Sequence, residues 1–465
     1  MPDNPSLSNK SEKNLLLTIT MLGSFFTPFM GASVNVALPI ISKEFTMDAV
    51  SMSWITTGFI LSAAVFLVPF GKIADIFGRK KIFILGITIF TIASFFCAIA
   101  INGEMLIASR LLQGAGSAMV FGTSMAIVIS AFQPNERGKI IGMNVSAVYL
   151  GLTIAPVLGG MLTETLGWRS LFYLIIPFGI FVVYSLTFII KSEWAEAADE
   201  TFDFIGSFFY MISISSLMYG FSHLPGTFTS ILTIAGIAGL ISFIIYEQKI
   251  KFPVLNISLF RKNRVFAFSN LAAFINYAAT FAVAFVMSLY LQYAKGMSPK
   301  EAGAVLVAQP IVMTLTTLIS GRLSDRYNPG ILASIGMTII IAGLIPLIFL
   351  NTETSLIYII ISLVILGLGF GLFSSPNTNA VMSSVEKKYL GIASATLGTM
   401  RLTGQMFSMG IATLAVHAFI GKEIISKSNI HNFLNSLQII FITFTILCIV
   451  GVFASLARGK QKINY

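Results

Sequence analysis

Charged residues are scarce in this sequence. Only 10% of the 465 residues are Asp, Glu, Lys or Arg, whereas an ordinary globular protein carries about 25%. A soluble protein of this length needs far more charge to cover its surface. Because 56% of the residues are hydrophobic, the composition excludes a soluble enzyme and a disordered scaffold, and it indicates a protein whose main solvent is lipid.

Cysteine and histidine are rarer still, with two and three residues. Cys97 and Cys448 lie in apolar segments, so we interpret both as small hydrophobic side chains rather than as a disulfide or as metal ligands. The histidines have no metal-ligand spacing, and the sequence has no P-loop for a nucleotide. We therefore expect no metal and no cofactor, and an ATP-driven pump is excluded.

Long hydrophobic runs fill most of the chain. A helix that crosses a membrane needs about 20 apolar residues, and windows of that kind follow one another along the whole sequence. The sequence therefore predicts an all-α membrane protein with fourteen transmembrane helices. The predicted spans lie near residues 15–41, 50–70, 82–101, 105–131, 138–163, 170–190, 204–222, 228–246, 266–293, 302–320, 331–350, 355–375, 390–419 and 434–456.

All but two of the 29 lysines and arginines lie in short clusters between these runs, which argues against a nucleic-acid partner. With the N-terminus in the cytoplasm, 21 of them fall in cytoplasmic segments and 6 on the other side. Because basic residues concentrate in cytoplasmic loops, we predict a multi-pass cell-membrane protein with both termini cytoplasmic. The acidic segment 191–203 breaks this pattern, and we expect a solvated cytoplasmic linker with Trp194 at the membrane interface.

The sequence contains an internal repeat. The loops predicted after spans 2 and 10 share the pattern G-[KR]-x-x-D, at Gly71–Asp75 and Gly321–Asp325, and glycines 13 residues apart in span 5 recur in span 13. Duplicated halves are typical of alternating-access transporters, whose binding site lies midway between them. The predicted domains are an N-terminal six-helix bundle at 1–190, an acidic linker with two inserted helices at 191–265, and a C-terminal six-helix bundle at 266–465.

Four segments carry a family resemblance. They are Asn35–Ile40 in span 1, the loop Gly71–Lys81, Arg110–Gly116 in span 4 and Gly151–Gly160 in span 5. Together they resemble the major facilitator superfamily, in its fourteen-span drug:proton antiporter branch. The resemblance covers nearly the whole chain and implies a transporter rather than an enzyme. It also implies a monomer in the lipid bilayer, with a small-molecule substrate and protons as its partners.

The family motifs supply candidates for gating. We interpret the loop motif as a latch that forms in one access state, and a topology signal with a helix cap is the alternative. In span 5, glycine and proline allow close backbone approach and a kink, which the resemblance makes a hinge for export and which ordinary packing would also explain. The predicted gating residues are Gly71, Asp75, Gly78, Arg79, Gly321, Arg322, Asp325, Gly151, Pro156, Gly159 and Gly160.

Two arginines lie inside predicted spans, where a charge costs about 3 kcal/mol or more. Arg110 is near the outer end of span 4, and Arg401 is near the middle of span 13. Glu164 is at the outer end of the neighbouring span 5. We hypothesise that Arg110 and Glu164 form a proton-sensitive pair, and a fixed salt bridge at the outer gate is the alternative.

No acidic residue lies in the middle of a predicted span. A cavity with Arg401 and without a carboxylate suits neutral or anionic amphiphiles better than dications. Polar and aromatic residues in the spans that line the cavity of the family can contact substrate, or each can instead bind neighbouring helices. The cavity candidates are Arg401, Asn35, Gln113, Asn144, Tyr149, Asn276, Tyr277, Gln309, Asn377, Asn379 and Gln405.

The sequence therefore favours a secondary active transporter that exports hydrophobic or amphipathic, drug-like molecules by alternating access with proton antiport. An exporter of a cellular metabolite or lipid precursor fits the same fold. A membrane receptor or enzyme is a third class. Against an enzyme, the sequence places no nucleophile–base pair, metal triad or paired carboxylates at membrane depth.

Overall fold

The structure is a computed structural model that describes residues 10–132, 134–255, 258–324, 326–386, 390–421 and 423–459. Fourteen helices in these ranges are long and apolar enough to cross a membrane, which confirms the predicted all-α fold. In chain order, spans 1 to 14 are Lys10–Glu44, Ala49–Phe77, Arg79–Ala98, Gly103–Ala131, Pro134–Thr165, Arg169–Tyr173 with Ile175–Phe188, Phe204–Ser222, Thr227–Glu247, Arg264–Thr280 with Ala282–Leu289 and Tyr290–Ala294, Pro299–Leu306 with Ala308–Ser324, Pro329–Leu347, Leu356–Ser383, Leu390–Ile420 and Ile430–Leu456.

Local sequence sets several helix starts. The Asp48 side chain accepts a hydrogen bond from the Ser51 N–H at 2.7 Å and so caps span 2. Span 10 begins with a capping box, in which Ser298 and Glu301 each accept from the other's backbone, and Pro299 occupies the first helical position. We call the membrane face at which span 1 begins the N-terminal face, and the other one the opposite face.

Two glycines that begin the predicted loops after spans 2 and 10 lie inside helices. Gly71 lies within span 2, which continues to Phe77, and Gly321 lies within span 10. The turn between spans 2 and 3 is at Gly78, whose φ of +119° is unfavourable for other residues. The predicted starts of the two loops were wrong because one glycine does not end a helix whose backbone groups lie in lipid and can bond only within the helix.

Spans 9 to 14 repeat the contacts of spans 1 to 6. Span 1 packs on span 5 and span 4 packs on spans 2 and 3; likewise span 9 packs on span 13 and span 12 packs on spans 10 and 11. The close contacts are equivalent too. A Cβ on Gly116 would lie 2.7 Å from the Gly86 carbonyl oxygen, and one on Gly369 would lie 2.7 Å from that of Gly336. The fold is therefore two six-helix bundles of the same design.

Spans 7 and 8 form the inserted pair and pack mainly on each other. The two bundles meet where span 2 packs on span 13 and where span 5 packs on span 10, and span 7 contacts both span 2 and span 13. The Tyr210 hydroxyl of span 7 donates to the Ala64 carbonyl of span 2 at 3.1 Å, and Phe221 contacts Phe407 of span 13 with ring centroids 5.9 Å apart. The inserted helices therefore lie across one of the two seams between the bundles.

Candidate substrate cavity and gating contacts

Arg401 lies near the middle of span 13 and is partly exposed. Its Nη2 donates to the Thr378 hydroxyl at 2.6 Å, and its guanidinium carbon lies 5.8 Å from the centroid of the Tyr277 ring. Among the described residues, no carboxylate forms a salt bridge with Arg401. A cation with no carboxylate partner among the described residues therefore lies near the middle of span 13, where it contacts a hydroxyl and an aromatic face.

The two bundles meet at this depth through side-chain hydroxyls. The Tyr149 hydroxyl of span 5 lies 3.1 Å from the Ser374 hydroxyl of span 12, and Thr153 lies 3.1 Å from Thr314 of span 10. Tyr277 packs edge-on against Phe370. Arg401, Tyr149 and Tyr277 thus supply one charge and two aromatic rings, from both bundles, in one layer of the molecule.

The other cavity candidates divide into three groups. Gln309 and Gln405 are partly exposed. Asn276 is fully buried, and neither its amide nitrogen nor its amide oxygen has a hydrogen-bond partner among the described residues. Five candidates bond to other helices, as the alternative interpretation expected: Asn35 accepts from Thr56, Gln113 donates to Ser94, Asn144 donates to Thr20, Asn377 donates to Ser269 and Asn379 donates to Ser324.

Towards the opposite face, further hydrogen bonds join the two bundles. Ser288 of span 9 donates to the Asn35 carbonyl at 2.9 Å, and Thr413 of span 13 donates to Ser53 of span 2 at 2.9 Å. Three other bonds run from Gln292 to the Val36 carbonyl, from the Lys300 N–H to Glu164, and from the Ala49 N–H to the Glu423 carbonyl. These contacts fasten the bundles to one another on the side away from the N-terminus.

The span 5 motif takes part in this closure. A Cβ on Gly160 would meet the backbone of Pro299 at the start of span 10, and a Cβ on Gly303 would meet the Pro156 carbonyl oxygen. Gly159 approaches Ser33 of span 1, where a Cβ would lie 2.9 Å from the Ser33 Cβ. The small residues of the motif therefore bring spans 5 and 10 into backbone contact across the seam.

At the N-terminal face, the loop motif is bound by the acidic linker. Arg79 is buried, and its guanidinium donates to Asp75 at 2.8 Å and to both carboxylate oxygens of Glu196 at 2.7 and 3.0 Å. The Arg79 N–H donates to the Trp194 carbonyl at 2.8 Å, and Glu193 accepts from the Lys80 N–H at 2.8 Å. The bidentate pairing gives the linker a fixed geometry on the loop.

The linker therefore differs in part from the expected solvated segment. Trp194 is fully buried rather than placed at the interface, and Lys72 forms an ion pair with Glu200. The expected interfacial position of Trp194 was wrong because the acids of the linker match the basic residues of the loop beside it and hold the linker against that loop. Of the second loop motif, Gly321 is partly buried and Arg322 is exposed, whereas Asp325 lies outside the described residues.

The structure does not bring Arg110 and Glu164 together. Arg110 is fully buried and points towards span 2, where it donates to the Ile55 carbonyl at 3.0 Å and lies 4.2 Å from the Phe59 ring centroid. It also donates to Gln113 of its own helix. Glu164 is exposed and accepts from the Lys300 N–H at 3.2 Å, so its contact is with the start of span 10.

A family profile described as Major Facilitator Superfamily matches residues 20–409 and 269–462. The chain belongs to this superfamily. As a facilitator-superfamily protein it is a transporter with many spans in the membrane, not an enzyme, and its substrates are small molecules.

Named relatives in the superfamily differ in what they carry. The chain is 31% identical to the riboflavin transporter RibZ of Clostridioides difficile, over 86% of this chain and 87% of RibZ. It is 30% identical to the multidrug transporter MdtP of Bacillus subtilis, over 90% of this chain and 78% of MdtP. A solved bacterial homologue of the human lysosomal transporter Spinster has the same fold, with a TM-score of 0.72 and 17% identity over 97% of this chain and 98% of that one.

Several side chains around Arg401 and around the loop motif were not predicted. Ser374 and Thr378 belong to a polar run, SSPNTN, inside an otherwise apolar span 12, and that interruption was the signal for them. Glu193 and Glu196 could have been found from the opposite charges of the linker and the loop motif. In this facilitator, the motif residues of the loop contact side chains in segments without a motif, such as the acidic linker.

Proposed function

We propose that the chain is a secondary active exporter of amphipathic small molecules, driven by proton antiport. The observation that carries this proposal is Arg401, a cation at mid-membrane with no described carboxylate partner and with Tyr277 beside it. A fixed positive charge and aromatic surfaces favour neutral or anionic ring compounds over dications. Two relatives support the proposal, since MdtP is named a multidrug transporter and Stp a multidrug resistance protein.

A second candidate substrate class is a cellular metabolite. The relative with 31% identity is named a riboflavin transporter, so a polar ring compound is among the cargoes of similar chains. Arg401 and the hydroxyls of Tyr149 and Thr378 offer such a compound one charge and two hydrogen-bonding groups. This candidate uses the same cavity and differs only in the cargo.

The proposed transport cycle moves residues 1–190 against residues 266–465, with 191–265 as the connecting unit, in a monomer. We place the N-terminal face in the cytoplasm, as the distribution of basic residues predicts. The bonds that join the bundles run from mid-membrane to the opposite face, so the proposed state of this structure opens towards the cytoplasm. Export requires those bonds to break while the N-terminal ends of the bundles come together.

Proton coupling is proposed to act through Glu164. Its carboxylate lies at the N-terminus of span 10, where the helix dipole favours a negative charge. Protonation removes that charge and weakens a bond between the bundles. Arg110, which packs against span 2, is proposed to respond to the cycle through that helix rather than through contact with Glu164.

The test is export from proteoliposomes with an imposed pH gradient, using anionic, neutral and cationic dyes and riboflavin. For Arg401→Ala we expect export of anionic and ring compounds to fall about tenfold or more, because a charge-assisted contact contributes about 1.5–3 kcal/mol. Arg261→Ala, at an exposed position outside the spans, is the control and retains wild-type rates. Equal export of all dyes by Arg401→Ala and wild type would contradict the substrate assignment, and export without a pH gradient would contradict proton coupling.

A further inference from the structure

Glu247 ends span 8 and is only 2% exposed. Its Oε2 accepts a hydrogen bond from the Leu255 N–H at 3.2 Å, which ties span 8 to the segment before span 9. Its other oxygen, Oε1, is buried and has no hydrogen-bond partner among the described residues. Burying an ionised carboxylate with an unpaired oxygen has a large free-energy cost, so this atom indicates a bound partner that is not part of the described residues.

Asp203 supplies a second carboxylate at the same place. Its Oδ1 accepts from the Gly206 N–H at 2.9 Å and from the Tyr246 hydroxyl at 3.3 Å, and it caps the start of span 7. Its Oδ2 is buried and unpartnered, like Oε1 of Glu247. Both free oxygens face the Cα of Gly206, since a Cβ there would collide with each of them, at 2.6 Å from Glu247 Oε1 and closer still to Asp203 Oδ2.

The charged and titratable groups around the pair do not offset two negative charges. Tyr246 contacts Asp203 as a neutral donor. Lys249 is exposed, and the Nζ of Lys251 lies 5.1 Å from the centroid of the Phe252 ring. The neighbouring surface of span 2 is apolar, with Phe66, Pro69, Phe70 and Ile73 facing span 7. No described basic side chain forms a salt bridge with either acid.

We propose that Asp203 and Glu247 bind one proton between them and form a proton site separate from the central cavity. Two carboxylates this close do not both ionise, and a shared proton turns their repulsion into a short O–H···O⁻ hydrogen bond that satisfies both free oxygens. When the proton leaves, the two charges repel each other. That repulsion separates the start of span 7 from the end of span 8 and releases the segment that leads into the C-terminal bundle.

This site goes beyond the proposed function, because it is built by the inserted helices and does not require any particular cargo. Its position makes the seam between spans 2 and 13 sensitive to pH at the N-terminal face. The bound group is a proton rather than a metal ion, since only two carboxylates converge and the described residues hold no cluster of three His, Cys, Asp or Glu side chains.

The test measures thermal unfolding and infrared absorption of the full-length protein in nanodiscs, without substrate. A shared proton stabilises the folded protein at low pH and is lost as pH rises. We therefore expect the wild-type Tm to fall by about 2 °C or more between about pH 5 and pH 8. In Glu247→Gln, the side-chain amide donates a hydrogen bond to Asp203 without binding a titratable proton. We therefore expect the Tm of this variant to stay constant over this pH range. Glu353→Gln, at an exposed acid, follows the wild-type profile.

The infrared readout does not depend on how well one variant folds. The carbonyl band of a protonated carboxylic acid is expected in wild type at pH 7 and absent from both Asp203→Asn and Glu247→Gln. A wild-type pH profile that both variants reproduce, or the same band in all three proteins, would overturn the proposal. The proposal would also be overturned if Na⁺, but not choline, raised the wild-type Tm at pH 8 to its value at pH 5. The pair would then bind a metal cation rather than a proton.

Discussion

At the scale of single residues, depth in the membrane was easier to predict than partners. Arg110 and Arg401 lie inside spans 4 and 13 as the sequence predicted. Their contacts among the described residues are with one hydroxyl, an amide, a backbone carbonyl and aromatic rings rather than with acids. Depth follows from position along a helix, whereas the partner depends on which neighbouring helix the side chain faces, and no spacing in a single sequence encodes that direction.

Glu164 allows a test at this scale. Glu164→Gln keeps the shape of the side chain and removes the charge at the start of span 10. Because a charge at a helix N-terminus is worth about 0.3–1 kcal/mol, we expect the dependence of export rate on the pH gradient to weaken about two- to fivefold. The measurement is the initial rate of dye export against external pH. Glu104→Gln, at another exposed acid, should leave that dependence intact, and a Glu164→Gln profile equal to wild type would refute the coupling role.

At the scale of helices, the sequence predicted all fourteen spans but not all of their ends or joints. The hydrophobic runs fixed the existence of each span, because lipid requires about 20 apolar residues whatever the packing. The helix around Gly71 and the folded linker around Trp194 were missed. Both depend on contacts or solvation outside the segment itself, so the local pattern carries little information about them.

The close contact of spans 5 and 10 predicts a strong effect of one methyl group. In Gly160→Ala, the added Cβ meets the backbone of Pro299, which cannot rotate away. Overpacking of this kind costs about 1–3 kcal/mol, so we expect export to slow about five- to a hundredfold as the closed opposite face is disfavoured. Gly142→Ala is the matched control, because nothing lies within 4 Å of its added Cβ. Equal export rates for the two variants would show that the seam is looser than described.

The acidic linker is open to a similar comparison. Glu196→Gln removes the bidentate partner of Arg79, which is buried and, among the described residues, then keeps Asp75 as its counter-charge. Because Glu196 is itself about half exposed, we expect a modest loss of about 1 kcal/mol, seen as a lower Tm in nanodiscs. Asp199→Asn, an exposed acid of the same linker, should match wild type. A Tm for Glu196→Gln within error of Asp199→Asn would mean that the linker does not support the loop.

At the scale of the whole molecule, the repeat was the most informative part of the sequence. Two short motifs and a glycine spacing predicted duplicated halves, and the structure shows equivalent helix pairs with equivalent glycine contacts at Gly86 and Gly116 and at Gly336 and Gly369. A duplication can be detected in the sequence because the small residues at the helix contacts are repeated together with those contacts. The helices on which spans 7 and 8 pack could not be predicted, because these two spans occur once and no second copy is available for comparison.

A disulfide across the opposite face tests the rocking of the two bundles. Ser53 and Thr413 have hydroxyl oxygens 2.9 Å apart in different bundles. In a protein whose two native cysteines are replaced, Ser53→Cys with Thr413→Cys should form a disulfide under oxidation. Export should then drop about tenfold or more and return with a reductant, because alternating access needs this contact to open. Each single cysteine variant is the control. Undiminished export by the oxidised pair would exclude motion at this seam.

The asymmetric position of spans 7 and 8 has a consequence for molecules that arrive dissolved in the bilayer. The inserted pair shields the joint of spans 2 and 13, while the twofold-related joint of spans 5 and 10 lacks a duplicate of that pair in the described chain. A hydrophobic compound dissolved in the bilayer therefore finds the joint of spans 2 and 13 covered by the inserted pair and the joint of spans 5 and 10 without such a cover. Access from the lipid to the space between the bundles would then be easier on one side of the molecule than on the other, although its two halves share one design.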